Sequence, residues 1–181
     1  DSSNITSVLA NAAGNYVYGA NGLYDSNVSG LGHQPIGFDQ YMLFYQHYCV
    51  IRAKISVTFW LKDDAATSLI VGISLRDTSA GLSDTTRVRE VGNVIWDRLA
   101  PSTPGRSITL TRTFDMKKFF GQGADPTDTQ YKANVGTNPT DMAFFHLLAM
   151  GNDYEATPTV YFSTTLEYTA VLSERKPLTQ S

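Results

Sequence analysis

A chain of 181 residues fits one domain and is long enough to bury a real core. With 42% hydrophobic and 17% charged residues, ten tyrosines and nine phenylalanines, it favours strands over charged amphipathic helices. A net charge of −3 excludes a self-contained nucleic-acid binder, which needs a clustered excess of Lys and Arg, and no run of about 18 apolar residues offers a transmembrane helix.

In chain order, a strand is expected over Tyr16 to Tyr24. Phe38, Tyr41, Met42, Tyr45 and Tyr48 then recur at three- and four-residue spacing, which predicts a helix from Phe38 to Tyr48. Cys49 is the single cysteine and sits in the apolar run Tyr48-Cys49-Val50-Ile51, so it reads as a buried thiol. From Ile51 to Lys62 the alternation is strict. Ile51, Ala53, Ile55, Val57, Phe59 and Leu61 form one face, and Arg52, Lys54, Ser56, Thr58, Trp60 and Lys62 the other. Asp63-Asp64-Ala65-Ala66 reads as a turn, and Leu69 to Arg76 as a strand that returns along the first in a hairpin.

Val94 to Leu99 is a further strand, followed by the loop Pro101-Ser102-Thr103-Pro104-Gly105. Ser107 to Phe114 alternates again, but Arg112 falls on its apolar row and requires a bulge, a partner or an interface. A short helix is predicted over Met116 to Phe120, ended by Gly121, and a long loop from Gly121 to Pro139. Ala143 to Met150 is apolar on both faces, as a strand covered on both sides would be. The last strand is a long, half-buried one from Thr159 to Leu172, with Val160, Phe162, Leu166, Tyr168, Ala170 and Leu172 inward. Strands at irregular spacing joined by long connections favour a Greek-key sandwich.

Groups for catalysis are scarce. His33, His47 and His146 are scattered with no metal-binding spacing, and His146 reads as a packed or interface histidine. Asp63-Asp64 belongs to a turn, and Asp125 and Asp128 beside Pro126 are explained by turn and capping duties. No nucleophile elbow, P-loop or dinucleotide fingerprint is present. The expectation is no enzyme, no cofactor and no metal. Asn4-Ile5-Thr6 and Asn27-Val28-Ser29 match the glycosylation triplet, a pattern short enough to arise by chance. The stripe of Arg52, Lys54, Trp60 and Lys62 fits either a nucleic-acid contact, in which cations meet phosphates and the ring stacks a base, or a solvated or subunit-facing strand face. Lys117-Lys118 and Arg175-Lys176 read as solvated ends.

Gly32-His33-Gln34-Pro35-Ile36-Gly37-Phe38-Asp39-Gln40-Tyr41, continuing through Phe44-Tyr45 and Val50 to Ile55, resembles the capsid proteins of circular single-stranded DNA viruses related to the circoviruses. Asp115 to Gly121 with Asp125-Pro126 and Val135 to Pro139 gives a second match, and Leu166 to Lys176 closing on Gln180-Ser181 a third. The resemblance implies one eight-stranded antiparallel jelly roll over residues 1–181, assembled into a small icosahedral T=1 shell of identical subunits in the virion. It also implies a circular single-stranded DNA genome inside, assembly in the host nucleus, a host receptor and no membrane. A basic amino-terminal arm would neutralise the genome, and this net-acidic chain lacks it. Subunit contacts are expected at Tyr41, Tyr45, Phe119, Phe120, Phe144 and Tyr161, because these rings and Phe145 are more apolar surface than a lone sandwich needs. A carbohydrate-binding jelly-roll module, stacking sugars on Trp60 or loop tyrosines, is the alternative.

Overall fold

Strands dominate because β-branched and aromatic residues recur at period two, and a computed structural model gives their arrangement for residues 2–6, 14–28, 34–61, 68–81, 92–100, 107–151 and 159–177. Among these residues the strands are β1 (Ser2–Thr6), β2 (Gly14–Gly19), β3 (Tyr45–Leu61), β4 (Leu69–Arg76), β5 (Val94–Leu99), β6 (Ser107–Asp115), β7 (Phe144–Gly151) and β8 (Thr159–Arg175). Two helices of five residues each accompany them, α1 (Phe38–Met42) and α2 (Met116–Phe120).

The strands form two four-stranded sheets, ordered β1-β8-β3-β6 and β2-β7-β4-β5. β1 therefore lies beside β8, β2 beside β7, β3 beside β6 and β4 beside β5. That nesting is what a long hairpin produces when it is rolled over itself, and it defines an antiparallel jelly roll. Registers fix the innermost and outermost pairs: Leu69 opposes Leu99 and Ser74 opposes Val94, while Ser2 opposes Ser163 and Thr6 opposes Thr159.

Packing divides the chain into two compact units, one of Asp1–Val17, Ile55–Arg112 and Phe145–Leu166, the other of Tyr18–Lys54, Thr113–Phe144 and Glu167–Ser181. In the first, Ile55, Val57 and Phe59 of β3, Leu69, Val71 and Ile73 of β4, Phe145 and Leu147 of β7 and Val160 and Phe162 of β8 are all buried. Here the sheets meet face to face: Tyr16 of β2 touches Phe162 of β8 edge-on at 5.1 Å between ring centres. Arg112 escapes its apolar row through a partner, donating from Nη2 to Oδ1 of Asn93, whose amide donates to the Leu75 carbonyl at 2.9 Å.

The second unit is organised round Tyr48. Its ring is fully buried edge-on to Phe38 at 5.2 Å, its hydroxyl donates to the Thr137 carbonyl at 3.0 Å, and the Leu23 N–H donates to it at 3.1 Å. Asn21 links the chain to Ala143 and Asp141 through two 2.9 Å bonds, and Phe114, Phe119, Phe120 and Tyr131 form a ring cluster. Asp115 caps α2 by accepting from the Lys118 N–H, and Gly121, at φ 110°, ends it.

Four expectations are corrected. The helix stops at Met42, because the segment from Tyr45 onward enters β3 and the Tyr48 backbone pairs with Ala133. The first long strand and Leu69 to Arg76 form no hairpin. β3 keeps one open face, whereas β4 is buried along almost its whole length, so the two sit in different sheets. The Tyr16 to Tyr24 strand ends at Gly19, where the Gly19 N–H turns to the Ser26 carbonyl. Phe145 offers no surface, being fully buried. The turn at 63–66, the loop at 101–105, His33 and Lys62 lie outside the described residues.

Candidate assembly surface

Alternation puts Arg52, Lys54, Ser56, Thr58 and Trp60 on the open side of β3, as the sequence indicated, opposite the buried Ala53, Ile55, Val57, Phe59 and Leu61. Their side chains already have partners. Arg52 Nη2 lies 3.4 Å from Asp115 Oδ2, and Lys54 Nζ 3.6 Å from Glu167 Oε1. The Lys118 N–H, and after it Arg52, hold the Asp115 carboxyl below the usual carboxylate range. Further along β3, Ser56 meets the Thr111 hydroxyl at 3.2 Å, Thr58 meets Thr109 at 2.8 Å, and the Trp60 ring stacks on Tyr161 at 6.2 Å. A hollow of about 420 Å³ opens beside Arg52, with Ile51, Asp115, Met116, Lys117, Pro126 and Thr169 round it.

A second region has the opposite character. Gly37, at φ 84°, turns the chain into α1, whose buried Phe38 and Met42 sit one turn apart. The residues around that inward face are left outside. Ile36 is fully exposed, Tyr41 is 63%, Leu43 69% and Phe44 54% exposed. Two hollows flank them, one of about 290 Å³ between Pro35, Tyr41 and Leu172, the other of about 460 Å³ between Phe44, Tyr45 and Arg175.

The end of β8 holds this region in place. The Lys176 N–H donates to the Phe44 carbonyl at 2.9 Å, and its ammonium donates to the Met42 carbonyl at 2.8 Å, at the negative end of α1. Lys176, though exposed, is thus a clamp as well as a solvated residue. Glu174 adopts φ 59°, and its carboxylate accepts from Lys132 Nζ at 3.1 Å while His47 Nδ1 stands 3.2 Å from its other oxygen. The Lys132 contact is the main cause of a Glu174 carboxyl held below its ordinary range.

Of the expected contact residues, the structure gathers Tyr41 and Tyr45 here. Phe119 and Phe120 are half-buried in the internal ring cluster, Phe144 is half-buried at the start of β7, and Tyr161 faces Trp60. Ile36, Leu43 and Phe44 were not anticipated, although a helix ending at Met42 would have pointed to the last two. Trp96 on β5 is also exposed.

Among the described residues, Cys49 is buried and Asp125 and Asp128 are occupied. Burial pushes the Cys49 thiol up to about 11, beside the Met116 sulfur at 3.7 Å. Asp125 accepts from the Thr127 N–H and hydroxyl, and Asp128 from the Asp125 N–H, which are turn duties. Asn27 is buried. Among the described residues no cluster of three His, Cys, Asp or Glu could hold a metal, and no helix is long and apolar enough to cross a membrane.

No protein-family model matches the chain, and neither does any curated protein. Solved virus structures do. Rhinovirus-B5 matches with a TM-score of 0.50 at 11% identity, over 98% of this chain and 70% of that one. The pentamer of Israel acute paralysis virus matches at 0.49 and 12% identity, over 97% and 89%, and broad bean stain virus at 0.48 and 12%, over 100% and 93%. At such identities the likeness shows the fold alone, the jelly roll already defined by strand order.

Proposed function

We propose that residues 1–181 are a single jelly-roll domain that polymerises into a closed protein shell, and that the region round α1 is one of its subunit contacts. The observation that carries this reading is the group Ile36, Tyr41, Leu43 and Phe44, apolar side chains left in water on a rigidly braced support. A lone sandwich gains nothing from that exposure; an assembly buries it, at about 25 cal/mol per Å². The capsid-like sequence blocks supply the family, circovirus-like, and with it a T=1 shell, a circular single-stranded DNA genome, nuclear assembly and a host receptor. Those finer features rest on the resemblance alone.

Genome neutralisation falls to a basic amino-terminal arm outside these residues. The net charge is −3, and Arg52 and Lys54 already face Asp115 and Glu167. We assign Arg52, Lys54, Trp60 and Lys62 at most an auxiliary contact to nucleic acid. Electron microscopy of the expressed chain tests the reading: uniform spherical particles are expected, and a field of monomers at high concentration overturns it.

A further inference from the structure

His146 sits near the start of β7 and is 0% exposed. Period two aligns it with Leu148 and Met150, which pack with Ile70 and Val94 in a small apolar cluster. The turn that follows β4 meets it: His146 Nε2 lies 2.7 Å from the Thr78 carbonyl oxygen. A carbonyl can only accept, so Nε2 carries the hydrogen and Nδ1 is a bare acceptor. Nδ1 is buried and has no hydrogen-bond partner among the described residues. The turn is itself tied, with Arg76 Nη1 donating to the Ala80 carbonyl at 2.6 Å and the Ala80 N–H to Thr78 Oγ1 at 3.2 Å.

We infer that His146 is an acid-operated joint: neutral, it ties the turn of residues 77–81 to β7 without penalty, and protonated it keeps that bond only with a full charge held out of water, which favours the opened state in which water reaches the ring. A proton can enter only at Nδ1, where it creates a buried N–H and a full charge with no acceptor among the described residues. The neighbouring strands offer no relief. β4 brings Arg76, a like charge, β2 contains the phenols of Tyr16 and Tyr18 and no charged residue, and Asp77 on the turn is exposed. Burial is the main cause that holds the imidazole below its ordinary 6.5; the Thr78 carbonyl opposes it and Arg76 adds to it.

The sign follows by linkage. The unfolded chain takes up this proton near pH 6.5 and the folded chain only lower, so between those values the unfolded state holds more protons. Stability is therefore full above about pH 6.5 and is lost as the pH falls, by up to about tenfold in the unfolding constant per pH unit. The depressed carboxylates of Asp115, Asp125 and Glu174 act only below about pH 4.5, outside this window. In an assembled shell the joint would make acid a loosening signal, an extension that rests on the proposed function; the joint itself is tested in the subunit whether or not particles form.

The experiment is urea unfolding of the full chain at pH 7.0 and 5.5, for the native protein, His146→Gln and the control His47→Gln, with proton NMR titration of the native histidine rings. The native chain and His47→Gln should show an unfolding constant raised by up to about tenfold at the lower pH, and His146→Gln should not. The His146 ring should titrate below 6.5, with the amides of 78–81 losing exchange protection as it does. Equal acid sensitivity in all three proteins, or a His146 ring titrating at 6.5 or above, overturns the joint. Should His146→Gln fail to fold, the native ring titration alone decides.

Discussion

The open face of β3 and the ground round α1 are both surface, but their side chains are in opposite states. On β3 each polar group is answered from within the chain: Arg52 by Asp115, Lys54 by Glu167, Ser56 by Thr111, Thr58 by Thr109, and even the Trp60 ring by Tyr161. Round α1, Ile36, Tyr41, Leu43 and Phe44 each keep more than half of their surface in water, while the backbone beneath them is fastened by Lys176. A surface whose groups are satisfied gains little from a partner. One that is rigid and unsatisfied gains a great deal, since its burial costs little further ordering.

The supports beneath the two surfaces give the largest expected effects. Phe162→Ala removes the ring that meets Tyr16 and Phe59 under the β3 face and should cost about 3–5 kcal/mol in urea unfolding, enough to unfold a marginal domain. Tyr48→Phe strands the Leu23 N–H and the Thr137 carbonyl beneath α1 and should cost about 1–3 kcal/mol. A neutral Tyr48→Phe would mean that these two bonds contribute nothing to the stability of this unit.

Charge on the β3 face sharpens the contrast at smaller amplitude. Asp115→Asn with Glu167→Gln frees both cations while an Asn cap remains, so binding of a single-stranded DNA oligonucleotide should rise. Its salt dependence should steepen by about 0.7 in log–log slope for each phosphate that a freed cation neutralises. Unchanged weak binding in fluorescence anisotropy would remove nucleic acid from this face altogether. Arg52→Gln with Lys54→Gln should leave the urea midpoint within error, because exposed ion pairs contribute little.

Much of the fold was legible because alternation is a local property. β4, β5, β6, β8 and α2 fall within three residues of their expected bounds, β3 starts six residues before its expected Ile51, and the two-sided burial of β7 follows from its continuous apolar run. Pairing was not legible. Period two assigns Ile55 and Leu69 to a buried face but cannot say that they belong to different sheets. β1 went unread because Ser2-Ser3-Asn4-Ile5-Thr6 has too few apolar residues to show a period, and its position comes from β8. The overlong helix arose because Tyr45 and Tyr48 fit both the helical and the strand period; the distant Ala133 backbone decides between them. The same limit governs the two surfaces. Arg52 and Lys54 could be placed on one face, but Asp115 and Glu167 come from elsewhere in the chain, and Leu43 and Phe44 become surface only once α1 is seen to end at Met42.

The most direct test of the central claim is sedimentation velocity of the full chain beside Leu43→Asp/Phe44→Asp, at high protein concentration and moderate salt. Two exposed side chains at a repeated contact are expected to carry about 1.5–3 kcal/mol each, and charge there reverses the sign. The native chain should sediment as one large, uniform species, and the double variant as a folded monomer with unchanged urea midpoint. Identical large particles from both would contradict the assignment of the α1 ground to assembly, and monomers from both would contradict assembly itself.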